Sequence, residues 1–587
     1  MPKSDKKKAK KDAGAAGGGA EGQPAGAPGN ELNTMFKHHT GSYNLYAEEF
    51  WQPRVSEEIG GMNQAAFEKG VEKEAKQFGG DGAAQIDPQQ LRFFMPRHGR
   101  TAHRALEQKH VARSAFHNPG VFGRMFPTLP SIQFTDVSLE NLAKAMGSPS
   151  GGEDNPNIFS GFTFLGQFID HDITFDPTSS LEKQNDPEAI QNFRTPVLEL
   201  DSVYGSGPAT QPFLYDADPA NAGKLLIGRD ADGRPNDLPR NSQGTALLGD
   251  PRNDENLIVS QLHLTFLKFH NKVLDHLKAK GAEGGVAVPP EFIFEETQRV
   301  VRWHYQWIVV NEFLRKTLGE ALWSRLVKPE GGGKDGKGKE GKEVPPGTTV
   351  GQDPIGNVLD GTLKFYRWKG EPFIPVEFAV AAYRFGHSQI RPGYRINDGF
   401  GDSIFPGLFV RANLTADNVL KAGRAVDWSK FFDLGAAGAQ PGKQIDEHLS
   451  SPLLNLPGVA TIPSLPERNL KRGNTFSLPW GQRVAAAIGA QPLTDDQLAI
   501  NGTKLTDMGF PAERAPLWYY ILREAAVEAG GAHLGTVGGT IVGEVFLGLL
   551  KGDFKSYFNQ DPLWKPFLPA ANAGDFKIAD LIRFATT

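Results

Sequence analysis

The stretch Gly166-Gln167-Phe168-Ile169-Asp170-His171-Asp172 is the part of this sequence that best predicts its fold. It ends an aromatic segment, residues 157–172. If that segment is helical, Gln167 and His171 lie one turn apart on one face, with Asp170 beside them. Ionisable groups among so many apolar side chains must be paired, ligated or catalytic, because an unpaired buried charge costs too much free energy. An isolated Asp-His-Asp is more often a structural histidine between two solvated aspartates, so the interpretation depends on the rest of the chain.

The composition is that of a soluble globular protein. The 587 residues carry a formal charge of −5, which argues against a general nucleic-acid binder, and 39% of them are hydrophobic. There is no cysteine, so disulfides and a thiolate nucleophile are excluded. The Lys-rich start has no apolar core typical of a signal peptide, and the apolar run 540–550 is about half the length that spans a bilayer. We expect no membrane span and a location that is cytoplasmic, or exported without a classical signal peptide.

The chain is predicted to form one large, mainly α-helical domain with long loops and few short strands. Residues 1–30 are rich in Lys, Ala and Gly and predict a disordered tail, which leaves residues 31–587 for the domain. A low-complexity run at about 328–348 predicts an exposed insertion within it. Apolar periodicity predicts further helices over about 253–280, 290–327, 373–390 and 516–550.

The first of these helices follows Asp250-Pro-Arg252, and Asn253 is the residue we expect to cap its start. Two histidines on the same helix, His263 and His270, are interpreted as structural.

Three other segments carry residues that could bind a ligand or take part in a reaction. In Arg384-Phe-Gly-His387 the arginine and histidine are three apart, and the intervening glycine leaves room for a flat ligand or for close helix packing. Asn469 and Arg472 form a second pair with the same spacing. Thr195, Glu199 and Asp201 alternate, so their oxygens could project to one side of an extended segment and suit a hard cation such as Ca²⁺, although a wet strand face has the same pattern.

Taken in their order along the chain, these motifs resemble the animal-type haem peroxidases of the peroxidase–cyclooxygenase superfamily. The resemblance runs from about residue 90 to the C-terminus, and the stretch Trp518-Tyr-Tyr-Ile-Leu-Arg-Glu resembles bacterial members in particular. It implies a haem b cofactor with His171 above the iron, Gln167 beside it in the distal pocket and Arg252 as the distal arginine. It also implies His387 as the axial iron ligand.

The resemblance assigns further roles on both sides of the cofactor. Asn469 would be the hydrogen-bond partner of the axial imidazole, and Arg384 and Arg472 would contact the haem, the latter at a propionate. Asp170 and Glu255 match positions that form ester links to haem methyl groups in vertebrate members, and both links are chemically possible here.

A calcium site is implied beside the distal histidine. Its ligands would be Asp172, Thr195, Val197 through its carbonyl, Glu199 and Asp201. Glu199 departs from the aspartate expected there, and its extra methylene changes the geometry of the site. Asn256 stands where the mammalian myeloid enzyme has a methionine bonded to a haem vinyl group, so that link is excluded.

The function implied is a haem-dependent peroxidase that acts in the response to oxidative stress. His171, as a neutral imidazole near its own pKa, would move a proton between the two oxygens of hydrogen peroxide, and Arg252 would stabilise the leaving oxygen. A histidine-ligated ferryl haem would then oxidise phenols or anilines, or a halide or thiocyanate. The electron donor and the oligomeric state are not encoded in these motifs.

Three alternatives are weighed against this function. A fatty-acid dioxygenase of the same superfamily needs a tyrosine three residues before the axial histidine, where this chain has Arg384, and Tyr383 is expected to point about 100° away round a helix. A haem-binding scaffold without turnover leaves the intact distal residues unexplained. A non-haem iron oxygenase leaves Arg252 and the proximal segment unexplained.

Overall fold

The computed structural model describes residues 122–174, 194–282, 288–327, 363–368, 372–435, 437–457, 459 and 462–586. The described residues all fall within one compact unit. The predicted tail and the predicted insertion both lie outside the described residues, so they stay predictions. The described residues are mainly α-helical with long connections and a few short strands, which confirms the predicted fold class.

The described residues form α-helices, short 3₁₀ and π-helical segments, and three small pairs of strands. The α-helices are α1 (Asp136–Ala145), α2 (Ser160–Ile173), α3 (Asp201–Tyr204), α4 (Leu257–Ala282), α5 (Ile293–Ile308), α6 (Arg315–Leu318), α7 (Glu320–Val327), α8 (Leu465–Thr475), α9 (Gly481–Ile488), α10 (Leu517–Ala529), α11 (Thr536–Gly552), α12 (Tyr557–Gln560) and α13 (Ile578–Thr586). The strands pair as β1 (Gly147–Ser148) with β6 (Leu449–Ser450) in parallel, and antiparallel as β2 (Asp154–Phe159) with β5 (Pro441–Lys443) and β3 (Gly393–Arg395) with β4 (Gly401–Ser403).

Helix α2 is the predicted aromatic helix, and it is buried on almost every face. The ring of Phe168 stacks on Phe266 of α4 at 4.6 Å between centroids and meets Tyr305 of α5 edge to face at 6.5 Å. No side chain caps the first turn of α2. A backbone bond from Ser160 N–H to the Gln440 carbonyl (2.8 Å) satisfies one of the donors that the first turn leaves open. The backbone bond at Ser160 and the aromatic contacts of Phe168 therefore hold the helix in the core.

The helix predicted over residues 290–327 is interrupted twice. A π-helical segment, Val309–Leu314, follows α5, and Gly319 separates α6 from α7. Gly319 has a φ of +74°, and a Cβ added there would meet the ring of His533 at 2.6 Å. The chain turns at this point because only glycine combines that backbone angle with so close an approach.

The prediction of a regular α-helix over residues 373–390 is wrong. A π-helical segment, Glu377–Ala381, is followed by a 3₁₀ segment, Ala382–His387, and the junction residue Ala381 leaves the helical region with φ −124° and ψ −73°. The buried carboxylate of Glu377 accepts hydrogen bonds from two backbone N–H groups, at Met125 and Phe126, which hold the start of the segment in place. The change of helix type rotates the side chains that follow it.

The C-terminal helices match the prediction of an aromatic helix followed by a glycine-rich helix. They are α10 and α11, joined by a short turn. Glu524 of α10 accepts hydrogen bonds from the N–H groups of Val537 and Gly538, which open the first turn of α11. Within the described ranges, no helix combines the length and apolarity that crossing a membrane requires.

Candidate active site

A cavity of about 870 Å³ gathers the residues that the sequence motifs singled out. It is lined by eight of the nine side chains predicted to act in catalysis or to hold the cofactor, namely Gln167, Asp170, His171, Arg252, Glu255, Arg384, His387 and Arg472. The ninth, Asn469, contacts the cavity through a hydrogen bond to His387. Motifs from four separate parts of the chain thus meet at one site.

His171 lies near the end of α2 with its imidazole buried. Its Nδ1 is 2.7 Å from Oδ1 of Asn253. Because a carboxamide oxygen can only accept, Nδ1 carries the proton and Nε2 keeps its lone pair. Burial and then the positive charge of Arg252 lower the pKa of His171 to about 4. The imidazole is therefore neutral at physiological pH, rather than close to its own pKa as the sequence analysis expected.

Gln167 lies one turn before His171 on the same face of α2, as predicted. Its Oε1 accepts a hydrogen bond from Nδ2 of Asn256 at 3.3 Å. Oδ1 of Asn256 accepts in turn from the N–H of Val259 at 3.0 Å. Asn256, which precedes Leu257, is therefore the side chain that caps α4, and Gln167 is tied to the start of that helix.

Arg252 is held at the cavity by Asp250, to which the sequence analysis gave no role. Asp250 caps the 3₁₀ turn Pro251–Asp254 that contains Arg252, and its buried carboxylate accepts from Nε (3.1 Å) and Nη2 (2.8 Å) of Arg252. It also accepts from Arg194 at 2.7 Å. Burial alone would raise the pKa of Asp250, but the hydrogen bonds and charge of Arg252, with the charge of Arg194, hold it below its usual value. The carboxylate stays ionised and orients the guanidinium.

Asn253 is not the cap of α4, and the prediction of that role is wrong. Its side chain points away from the helix start and lies between two imidazoles: Oδ1 faces His171, and Nδ2 is 3.0 Å from Nδ1 of His263. His263 is thus linked to the site. His270 is structural as predicted, because it bonds to the hydroxyl of Tyr204 and the carbonyl of Gly223.

On the proximal segment, His387 contacts Asn469 as the resemblance implied. The distance from Nδ2 of Asn469 to Nδ1 of His387 is 2.8 Å, and Arg384 donates from Nη1 to Oδ1 of Asn469 at 3.0 Å. The amide nitrogen, and not the expected oxygen, therefore faces the imidazole. Burial and then the charge of Arg384 lower the pKa of His387 to about 3, so the ring is neutral. Because Nδ1 accepts from the amide nitrogen of Asn469, the proton of this ring lies on Nε2.

The residues around the cavity fit a haem. A Cβ added at Gly386 would meet no atom within 4 Å, which leaves the open space beside His387 that a flat ligand requires. Two guanidinium groups at the cavity, Arg384 and Arg472, match the two propionates of a haem in charge. Two neutral imidazoles, His171 and His387, line the cavity and could act as a base and as a ligand of the haem iron.

Both carboxyl groups that could form ester links line the cavity. Oδ1 of Asp170 accepts a hydrogen bond from the hydroxyl of Thr174 at 2.9 Å. Burial raises the pKa of Glu255, against the lowering effect of Arg252. Their positions are compatible with the predicted links, and the links themselves stay a prediction.

The five predicted calcium ligands are buried, and two of them touch: the N–H of Asp201 donates to Oδ1 of Asp172 at 3.0 Å. The segment is not extended as expected, since the N–H of Val197 bonds to the carbonyl of Thr195 and that of Glu199 to Val197. Burial and then the charge of Asp201 raise the pKa of Asp172 to about 8. In the part of the chain that the structure describes, no three His, Cys, Asp or Glu side chains are arranged to hold a metal ion.

The chain is similar to several known peroxidases. Residues 179–457 match the family described as animal haem peroxidase. A chorion peroxidase of Aedes aegypti is 24% identical over 343 residues, which are 57% of this chain and 37% of that protein. The chain spans 18%, 37% and 30% of the lengths of three curated relatives that it matches.

Solved structures share the fold. Peroxidase A from Dictyostelium discoideum is 14% identical with a TM-score of 0.51, over 80% of this chain and 94% of that chain. A fatty acid alpha-dioxygenase of Oryza sativa is 15% identical with a TM-score of 0.50, over 89% of this chain and 91% of that chain. At these identities the likeness concerns the fold alone. Together, the family match and the relatives show that residues 179–457 are similar to the animal haem peroxidases, and the solved structures show that the chain shares its fold with a peroxidase and a dioxygenase.

Proposed function

We propose that this protein is a haem-dependent peroxidase that consumes hydrogen peroxide and oxidises small organic donors such as phenols and anilines. The observation that carries the proposal is the arrangement of His171, Arg252 and His387 around one cavity. His171 keeps the lone pair of Nε2 beside an anchored Arg252, and the partly buried His387 lines the same cavity. A base, a fixed cation and a neutral metal ligand are the groups that peroxide cleavage at a haem requires.

When bound, the haem supplies the iron that binds peroxide and takes up its oxidising equivalents. His171 would accept the proton of the peroxide at Nε2 and return it to the departing oxygen. Arg252 would stabilise the negative charge that builds on that oxygen, at little cost in reorganisation because Asp250 already orients it. Gln167, held by Asn256, would position the oxygens through its amide group.

The proximal residues would hold the cofactor. To bind the iron through Nε2, His387 would have to carry its proton on Nδ1. The carboxamide of Asn469 would then have to turn its oxygen toward His387, and Arg384 would lose the acceptor that this oxygen now offers. A carboxamide is a weaker acceptor than a carboxylate, so the imidazole has less imidazolate character and the reduction potential of the iron is higher. Arg384 and Arg472 would pair with the propionates.

We propose further that Ca²⁺ binds at Asp172, Thr195, Val197, Glu199 and Asp201. The support is the set of buried carboxylates: burial and then repulsion from Asp201 raise the pKa of Asp172, and a divalent cation would relieve both. The ion would hold the end of α2 in place, next to His171. Isothermal titration of the haem-free protein with Ca²⁺, and of an Asp201→Asn variant, tests this site, and equal heats from the two proteins would refute it.

The test of the main proposal is optical. The purified protein is titrated with haemin, and the spectrum is recorded before and after one equivalent of hydrogen peroxide. We expect a histidine-ligated ferric spectrum that changes within seconds and returns when a phenol, aniline, bromide or thiocyanate is added, and the relative rates rank these donors. A protein that takes no haem, or whose haem ignores peroxide, would refute the proposal.

A fatty-acid dioxygenase is the second candidate, because one observation favours it. The rotated proximal segment places Tyr383 on the cavity wall, and not away from it as the sequence analysis expected. Its hydroxyl, however, donates to the carbonyl of Gly166 at 3.0 Å, and burial raises its pKa well above the usual value. Oxygen uptake with a long-chain fatty acid that disappears in Tyr383→Phe would support this candidate over the peroxidase.

A further inference from the structure

We propose that Asn253 and His263 are positioning residues that hold His171 in the tautomer that acts as a base. The inference rests on the proposed peroxidase function. It names two residues outside the cavity lining that act on the reaction only through His171.

The three side chains form one continuous chain of hydrogen bonds. Nδ1 of His171 is 2.7 Å from Oδ1 of Asn253, and Nδ2 of Asn253 is 3.0 Å from Nδ1 of His263. Asn253 and His263 are each fully buried, so water does not compete for these bonds. Asn253 lies one residue after Arg252, and the turn that presents the guanidinium therefore also presents the carboxamide.

The carboxamide couples the tautomers of the two imidazoles. Its oxygen end can only accept and its nitrogen end can only donate. With the oxygen toward His171, that ring is protonated on Nδ1 and keeps the Nε2 lone pair, while His263 accepts on Nδ1 and is protonated on Nε2. If His263 carried its proton on Nδ1 instead, the carboxamide would turn, and Nε2 of His171 would carry a proton and lose its function as a base.

His263 is neutral, which this coupling requires. Burial lowers its pKa to about 3, so it does not become a second donor toward Asn253 at physiological pH. Its Nε2 has no hydrogen-bond partner among the described residues, which leaves the bond to Asn253 as the polar contact that orients the ring. Burying an imidazole with one unpaired nitrogen costs free energy, so we infer that His263 has a role that an apolar side chain could not supply.

The chain offers a matched control on the same helix. His270 is also a fully buried histidine of α4, two turns after His263, but it bonds to Tyr204 and Gly223 and not to Asn253. Replacing either histidine with phenylalanine removes a buried imidazole from α4. Only the change at His263 removes the partner of the carboxamide.

The first measurement uses the haem-free protein with ¹⁵N-labelled histidine. Long-range ¹H–¹⁵N spectra report which ring nitrogen of His171 carries the proton, with His171→Gln used to assign its signal. We expect a protonated Nδ1 in the wild type and a mixture of tautomers in Asn253→Ala and His263→Phe. A wild-type signal with the proton on Nε2 would overturn the proposal, whether or not the protein has peroxidase activity.

The second measurement is the rate constant for the reaction of the haem-loaded protein with hydrogen peroxide. We expect Asn253→Ala and His263→Phe to lower it by about 10- to 100-fold, the scale of losses when groups that orient a functional imidazole are removed. Asn253→Asp should restore most of the rate, because a carboxylate oxygen still accepts from Nδ1 of His171. His270→Phe should react like the wild type.

Two outcomes of this second measurement would overturn the positioning role. One is a wild-type rate in Asn253→Ala, and the other is an equal loss in His263→Phe and His270→Phe, which would indicate packing. If one variant does not fold, the wild-type spectrum and the remaining variants still decide the question. A wild-type protein that binds haem and ignores peroxide refutes the proposed function, while the tautomer measurement still stands.

Discussion

Replacing Asp250 with asparagine should impair both folding and the reaction with peroxide. Asp250 is fully buried and accepts five hydrogen bonds: three from Arg252, at its backbone N–H, Nε and Nη2, and two from Arg194, at Nε and Nη2. Asparagine has nearly the same shape, but it has one accepting oxygen and no charge. At least two of the five bonds lose their acceptor, and two partly buried guanidinium groups lose their counter-charge.

The magnitude follows from the loss of the buried partner. Breaking a buried ion pair by removing one member costs about 3–5 kcal/mol of folding free energy. The kinetic effect comes from Arg252, whose guanidinium keeps the carbonyls of His171 and Thr174 as acceptors but loses part of its hold at Asp250, and is therefore less firmly oriented. Removing a preorganised donor entirely costs about 10²–10³-fold in rate, and a misoriented donor should cost less, about 10- to 100-fold.

Urea denaturation of the haem-free protein measures the first effect, and stopped-flow mixing of the haem-loaded protein with hydrogen peroxide measures the second. Asp237→Asn is the matched control. Asp237 is equally buried and binds Arg240 through Nε and Nη2 at 3.0–3.1 Å, but it does not line the cavity. Asp237→Asn should lower the free energy of unfolding by a smaller amount, because Asp254 still pairs with Arg240 at 2.7 Å, and it should leave the peroxide rate constant unchanged.

Two results would contradict this reasoning. If Asp250→Asn folds and reacts like the wild type, Asp250 neither pairs with Arg252 in solution nor orients it. If both variants lower the peroxide rate equally, the loss reflects general destabilisation and not the orientation of Arg252.

Three further predictions concern the catalytic and ligating groups. His171→Ala should keep its haem and lower the peroxide rate constant by at least about 10²-fold, the usual scale of acid–base catalysis; stopped-flow kinetics at the wild-type rate would contradict the assignment. His387→Ala should lose haem or its histidine-ligated absorption spectrum, and retention of both would exclude it as the ligand. The peroxide rate constant should stay level from pH 8 to below pH 6 and fall only as the pH approaches 4, because the base works when neutral and the pKa of His171 is lowered to about 4; a midpoint near 6.5 in the rate–pH profile would show that burial does not lower this pKa.

Short-range patterns in the sequence were sufficient for the fold class and for most of the site. The helix with His171 one turn after Gln167 follows from apolar periodicity, and the residues with charged or ligating side chains follow from motif spacing. These predictions succeed because a helix or a short motif depends on neighbours within a few positions. The resemblance to the animal haem peroxidases, which rests on these motifs, then implied that Arg252 and His387 share one site, and both residues line the same cavity.

Only the tertiary structure identified the residues that contact and orient others distant from them in the sequence. Asn253 looks like a helix cap in the sequence, yet it lies between His171 and His263, and Asp250 has no local signal for its bonds to Arg252 and Arg194. Tyr383 reaches the cavity only because the chain changes helix type at Ala381. The physical reason is common to all of them: a buried polar group takes its partner from whichever part of the fold packs against it, and a local pattern contains no information about that contact.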